Sequence, residues 1–175
     1  LLFCLQFRFF FYLNYFLNGL IGHLVLSPLE KNNIIIGFSG KRGVGKTLSA
    51  GYLAQKYGFK MVAFADKLKD LSGCMFPFSH DHLHGTLKET TYRSYDWSPR
   101  DFMVKFGGFM RYFDPDYWIK GVDLNASLQN IVIHDLRYVN EAELLKSKGA
   151  LLIRLERFPN LNVYKNESND PSETD

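Results

Sequence analysis

Gly40-Lys41-Arg42-Gly43-Val44-Gly45-Lys46-Thr47 decides how the rest of this chain is read. It fits the phosphate-binding pattern G-x-x-x-x-G-K-[ST]. Before it, residues 33–38 form a short apolar, β-branched run that reads as a buried strand. After it, residues 48–57 carry an apolar stripe of Leu48, Tyr52 and Leu53 that reads as a helix. Strand, glycine loop and helix together are the context this motif requires. Glycines let the backbone curl so that several N–H groups face one cluster of phosphate oxygens. The helix start adds its positive end. Lys46 can reach the β- and γ-phosphates, and the Thr47 hydroxyl can hold Mg²⁺. The alternative, a glycine-rich turn with a surface lysine, leaves this context unexplained.

Outward from the loop, strands and helices alternate. Residues 60–64 read as a second strand, and Asp66 then opens a helix. Asp66 fits an N-cap. It also lies, with Lys69, at the C-terminal edge of the sheet, where open α/β folds bind ligands. His80, His82 and His84 alternate in an expected loop, where three rings do not converge on one metal. Lys88 and Glu89 fall on a short helix. Ser98-Pro99-Arg100-Asp101 combines an N-cap, a first-turn proline and a third-position acid. The helix it starts presents Phe102, Met103 and Phe106, and Gly107-Gly108 is expected to break or thin it. Asp114-Pro115 repeats the start signal for a helix through Trp118, Ile119 and Val122, with Trp118 in the core. Residues 130–135 form a buried strand ending in Asp135, an acid placed to lie near Mg²⁺ in phosphate-loop enzymes. Asn140 and Glu143 suggest a capping box for a helix over 141–147, and residues 150–155 a last strand. The alternation gives an α/β fold with a parallel sheet flanked by helices on both faces.

The chain has 175 residues, 46% hydrophobic, with a formal net charge of +3. That length suits one domain. The mild positive charge suits an anionic small molecule, and no basic stripe with interleaved aromatics points to nucleic acid. Cys4 and Cys74 form neither a metal nor a disulfide pattern, so reduced thiols and a cytoplasmic setting are expected. Residues 1–26 are almost wholly apolar, with Arg8 the one formally charged side chain. They read as sequence upstream of the true start, as a membrane anchor, or as a signal peptide. A membrane is a partner only if that stretch is a genuine anchor. The domain boundary is expected between 1–31 and 32–175.

Several blocks now stand in order. They are Gly37-Phe38-Ser39-Gly40-Lys41-Arg42 with Gly45-Lys46, Phe64-Ala65-Asp66-Lys67-Leu68-Lys69, and Ser98-Pro99-Arg100. Phe106-Gly107 with Arg111, Asp116-Tyr117-Trp118-Ile119, Asp135-Leu136-Arg137 with Asn140-Glu141-Ala142, and Ser172-Glu173-Thr174 follow. This series resembles the viral-type deoxynucleoside monophosphate kinases, over roughly residues 33–174. The glycine loop is widely shared; the block from Asp135 to Ala142 is far more specific. Animal-type phosphomevalonate kinase looks like a relative.

The resemblance implies a three-layer P-loop nucleotide-kinase fold. It implies ATP and Mg²⁺ as cofactors, a (deoxy)nucleoside 5′-monophosphate as acceptor, and commonly a homodimer. The loop from Gly40 to Thr47, including Lys41, Arg42, Gly43, Val44 and Gly45, would bind ATP. Thr47 and Asp135 would hold Mg²⁺. Arg111, Arg137 and Arg100 would clamp the acceptor phosphate, with Asp66 and Lys69 beside it. Arg154 or Arg157 would enter as a lid arginine. The family often has Asp where this chain has Thr47, and His where it has Asp170. It also carries a terminal helix after the Ser-Glu-Thr block, which residues 32–175 are expected to lack. Two other readings remain: a phosphomevalonate or dephospho-CoA kinase-like enzyme, and a non-catalytic ATP-binding module.

Overall fold

The computed structural model describes residues 33–124 and 129–156. The chain divides into two units, Leu1–Asn33 and Ile34–Asp175, and all but Asn33 of the described residues belong to the second. The apolar stretch 1–26, Arg157 and the Ser172-Glu173-Thr174 block lie outside the described residues. Among the described residues no helix is long and apolar enough to cross a membrane.

Four strands, β1 (Ile35–Ser39), β2 (Lys60–Val62), β3 (Ile131–Ile133) and β4 (Leu151–Arg154), form one sheet in the order β2-β3-β1-β4. Every neighbouring pair is parallel, with Ile35 opposite Ile131, Gly37 opposite Leu152 and Val62 opposite Ile133. Parallel strands are buried on both faces, which is why β3 reads as Ile-Val-Ile and β1 as a near-continuous apolar run from Ile35 to Phe38. Ile35, Ile131 and Ile133 join one core cluster with Phe64, Leu136 and Leu145. Ile36, Phe38 and Val132 alternate to the other face and are equally inaccessible to solvent. Each face therefore has its own cover. Helix α1 (Lys46–Tyr57) packs along β1, β2 and β3, while α5 (Val139–Ser147) packs on β4 and β1 and supplies Leu145.

The segment between β2 and β3 carries α2 (Asp66–Met75), α3 (His80–His84), a 3-10 turn at Thr86–Glu89, α4 (Pro99–Phe113) and a second 3-10 turn at Ile119–Gly121. Helix α4 starts as expected: Ser98 Oγ accepts the Asp101 N–H at 3.2 Å, and Asp101 Oδ2 accepts the Ser98 N–H at 2.9 Å.

Several details differ from the sequence expectation. The stretch His80–His84, expected as a loop, is the short helix α3, with Ser79 as its N-cap and the His82 ring bonded to the Ser79 hydroxyl at 2.7 Å. Gly107 and Gly108 do not break α4. Gly107 is instead a close-approach position: an added Cβ would sit 3.3 Å from Leu68 Cδ2 of α2. The Trp118 indole N–H donates to its carbonyl at 3.1 Å. The Asp114-Pro115 signal yields turns and a 3-10 segment rather than a full helix, because Asp114 accepts locally from the Asp116 N–H and from Lys120. Finally, α5 begins two residues earlier than expected, with Tyr138 as N-cap in place of Asn140. Trp118 is in the core, 1% exposed.

Candidate functional site

The glycine loop joins β1 to α1. Gly40, Gly43 and Gly45 all have positive φ, at 132°, 74° and 108°. At Gly40 a side chain is excluded twice over, since a Cβ there would lie 2.3 Å from the Leu155 carbonyl oxygen. Gly45 is the N-cap of α1 in the left-handed region. The N–H groups of its first turn have no intrahelical acceptor and point out of the helix start. Val44 is buried and anchors the loop from below. The Lys46 ammonium curls over the loop and donates to the carbonyls of Gly40 and, at 2.9 Å, Lys41. Thr47 and the loop residues Lys41, Arg42 and Gly43 are exposed. These backbone donors, one lysine and one hydroxyl form a donor set that fits a nucleotide phosphate with Mg²⁺.

The C-terminal ends of β2 and β3 meet beside this loop. Asp135 follows β3, and its two carboxylate oxygens accept the N–H groups of Phe64 at 3.0 Å and Ala65 at 2.9 Å. It thereby locks the turn from β2 into α2. Each oxygen keeps lone-pair capacity, so a metal held through water is compatible with this bracing role. Asp66 is the first residue of α2 rather than its cap. Its Oδ2 accepts the Ala63 N–H at 3.0 Å, and its Oδ1 lies 3.4 Å from Lys69 Nζ. The Lys69 side chain is 15% exposed.

Arg42, on the loop, and Arg100, at the start of α4, share one carboxylate. Glu89 Oε1 is 2.8 Å from Arg42 and 3.3 Å from Arg100. Arg100 and Arg137 both bring positive charge to Lys88. Arg111 belongs to a different group. Its guanidinium lies 3.9 Å from the centre of the Tyr138 ring and 3.5 Å from Glu141 Oε1. Eleven residues separate Arg100 from Arg111, about 16 Å along the helix axis. Arg111 thus contacts Glu141 and Tyr138, beside the turn that carries Arg137, and stands well away from Arg100 along α4. Arg154 pairs with Glu156 at 3.2 Å, at the exposed end of β4.

Glu141 is the side chain that sequence reasoning missed at this corner. It is 3% exposed and accepts the N–H groups of Arg137 at 2.9 Å and Tyr138 at 3.1 Å. Burial pushes its carboxyl above the usual range, against those hydrogen bonds and the Arg111 charge. The signal was present as an acid three residues after an N-cap, but Tyr138 is an unusual cap. Asn140 adds a second tie, donating to Pro115 O at 3.0 Å and Asp116 Oδ1 at 2.8 Å. The β3–α5 turn that carries Arg137 is thus fixed from both sides.

Two further features stand apart. His80 and His84 stack at 4.7 Å across one turn of α3, and His82 bonds to Ser79. Among the described residues no group of three or more His, Cys, Asp and Glu side chains is placed to hold a metal ion. A cavity of about 390 Å³ is lined by Trp97, Phe102, Lys105, Phe106 and Phe109. Helical periodicity directs that face of α4 well away from Arg100 and Arg111.

No protein-family model matches the chain. It is 28% identical over 145 residues to a "Putative deoxynucleotide monophosphate kinase" of Acanthamoeba polyphaga mimivirus, covering 71% of this chain and 74% of that protein. The similarity supports the resemblance read from the motifs, and with it the α/β architecture of a phosphate-loop kinase.

Proposed function

We propose that this chain transfers the γ-phosphoryl group of Mg-ATP to a deoxynucleoside 5′-monophosphate, giving ADP and the deoxynucleoside diphosphate. One observation carries the reading. Glu89 joins Arg42 of a well-formed phosphate loop to Arg100, and a second set of cations stands at the carboxyl ends of β2 and β3. A loop for one polyphosphate facing cations for a second phosphate is what phosphoryl transfer between two nucleotides requires.

Such transfer depends on positioning and charge neutralisation more than on covalent catalysis by the protein. A phosphate oxygen of the monophosphate attacks the γ-phosphorus. The bond to the β–γ bridging oxygen breaks, and ADP leaves. The loop N–H groups and Lys46 hold the donor. Thr47 would ligate Mg²⁺ and Asp135 would hold it through water, and the ion would supply neutralisation of charge on the phosphoryl oxygens. Arg137 and Arg100 hold the acceptor phosphate, with Lys69 and Asp66 beside it. Arg111 stiffens the Arg137 turn by stacking on Tyr138 and pairing with Glu141, and so acts as a positioning residue in this scheme. The mimivirus relative's name supports the choice of acceptor.

A coupled ADP-release assay on the full chain tests this, with dGMP, dTMP, dCMP, dAMP, the ribonucleotides, phosphomevalonate and dephospho-CoA as acceptors. Turnover with one or more nucleoside monophosphates is expected. Lys46→Ala and Arg137→Ala should each cut it by at least about 10²-fold, the scale of losing a charge that stabilises the transition state. Turnover with phosphomevalonate or dephospho-CoA alone would replace the acceptor. ATP binding without transfer to any acceptor would leave a nucleotide-binding module.

A further inference from the structure

Glu89 performs no step in the scheme above, yet it touches both sides of it. Its Oε1 lies 2.8 Å from Arg42 Nη2 and 3.3 Å from Arg100 Nη1. Arg42 belongs to the loop that would hold the donor phosphates. Arg100 belongs to the start of α4, which the scheme sets on the acceptor phosphate. Because both contacts end on one oxygen, the two guanidinium nitrogens are no farther apart than those two distances laid end to end.

The three residues differ in how they are held. Glu89 ends the 3-10 turn Thr86–Glu89, which packs against α3 and α4. Thr90 caps that turn, its N–H and its hydroxyl both donating to Leu87 O, at 3.3 and 2.8 Å. Arg100 is the second residue of α4, directly after the buried Pro99 and inside the Ser98–Asp101 capping box. Arg42 lies between Gly40 and Gly43, both at positive φ, and its side chain is 53% exposed. Two anchored residues therefore meet one on a glycine loop, and the carboxylate fixes where the Arg42 guanidinium sits. It also offsets the repulsion of two like charges at this separation. Exposed ion pairs contribute little to stability, so the consequence of this bridge lies in placement. In-line transfer needs reacting atoms about 3–3.5 Å apart, and a misplacement of about 1 Å costs about 10²-fold in rate.

From this shared contact we infer that Glu89 is a positioning residue for phosphoryl transfer. Its carboxylate sets the spacing between the donor loop, through Arg42, and the acceptor side, through Arg100. The inference rests on the kinase reading above. Glu89 touches neither substrate in this arrangement; it acts through the two arginines. A carboxylate repels the phosphates that it helps to align, so it raises kcat without tightening the binding of either substrate.

The test uses Glu89→Ala and Glu89→Gln in the full chain, with melting temperatures expected to match wild type. Glu89→Ala should lower kcat about 10- to 100-fold, the scale of a lost alignment. The KM values for ATP and for the acceptor should stay within about twofold of wild type or fall. Glu89→Gln keeps an acceptor oxygen in place and should recover part of kcat. In an Arg42→Ala background, Glu89→Ala should cost little more, because the bridge is already cut. An unchanged kcat in Glu89→Ala, a loss carried by KM, or full additivity with Arg42→Ala would overturn the proposal while leaving the kinase reading intact. If wild type transfers to no acceptor, the kinase reading fails separately. Arginine side-chain N–H signals in NMR, followed during titration with Mg-AMP-PNP, then decide whether Glu89 couples the loop to Arg100. Shifts at Arg42 and Arg100 in wild type, and at Arg42 alone in Glu89→Ala, uphold the coupling. The same Arg100 response in both, or none in wild type, refutes it.

Discussion

Gly40 is held at φ 132° with the Leu155 carbonyl where a Cβ would go. Gly40→Ala adds left-handed strain of about 1–3 kcal/mol to a direct clash with backbone. The expected outcome is a lower melting temperature together with lost ATP binding, read by thermal melts with and without Mg-ATP. Wild-type stability would show that the loop relaxes freely. Asp135 braces the backbone apart from its proposed place at Mg²⁺. Replacing one oxygen by an amide in Asp135→Asn sets an N–H₂ against the Phe64 or Ala65 N–H. That should cost about 1–3 kcal/mol, the penalty of an unsatisfied buried donor. Chemical denaturation measures it without substrates, so the structural role is separable from any effect on Mg²⁺ dependence. The glycine loop and the position of Asp135 were legible in the sequence because spacing and strand context specify them. The bracing of Phe64 and Ala65 was not, since it joins positions 70 residues apart.

At the scale of elements, the β3–α5 turn carries Arg137, which the proposed mechanism sets on the acceptor phosphate. Glu141 holds it by two backbone hydrogen bonds and an ion pair with Arg111. Glu141→Leu leaves both N–H groups and a partly buried guanidinium unsatisfied, with an expected loss of about 2–4 kcal/mol. Glu141→Gln keeps the shape and an acceptor oxygen, and should cost less. The two also differ with pH. Burial raises the Glu141 carboxyl in the folded chain, so the fold binds that proton more tightly than the unfolded chain does. Its stabilising contribution is fullest below 4.5 and is lost as pH rises through the folded value. The stability gap between wild type and Glu141→Gln should therefore widen as pH falls from 7 toward 5, measured by urea denaturation. A gap that narrows over that range would contradict the assignment. The sequence announced α4 through Ser98, Pro99 and Asp101, all local signals. It misplaced the start of α5 because the decisive acceptor, Glu141, serves a tyrosine cap. It also overread Gly107, whose role is contact with Leu68 and Trp118 across the fold.

For the whole molecule, alternating apolar runs and amphipathic segments were enough to foresee a parallel sheet with two covered faces. The order β2-β3-β1-β4 was not foreseeable from local pattern, because it depends on which of several similar Ile/Val runs pair. The proposed function depends on that order. It sets β1, which ends in the phosphate loop, directly beside β3, which ends in Asp135 and Arg137. It also sets β2, which leads to Asp66 and Lys69, on the far side of β3. In the proposed scheme, donor and acceptor thus meet at one edge of the sheet. The individual arginines were legible as cations in suggestive contexts, but the Arg42–Glu89–Arg100 bridge and the Arg111–Glu141 pair required the fold.

The most direct measurement follows the label from [γ-³²P]ATP with Mg²⁺, full chain and a deoxynucleoside monophosphate. The account predicts label in the deoxynucleoside diphosphate, dependent on Mg²⁺ and lost in Arg137→Ala. Label found only in inorganic phosphate, or left in ATP with every nucleotide acceptor, would contradict it.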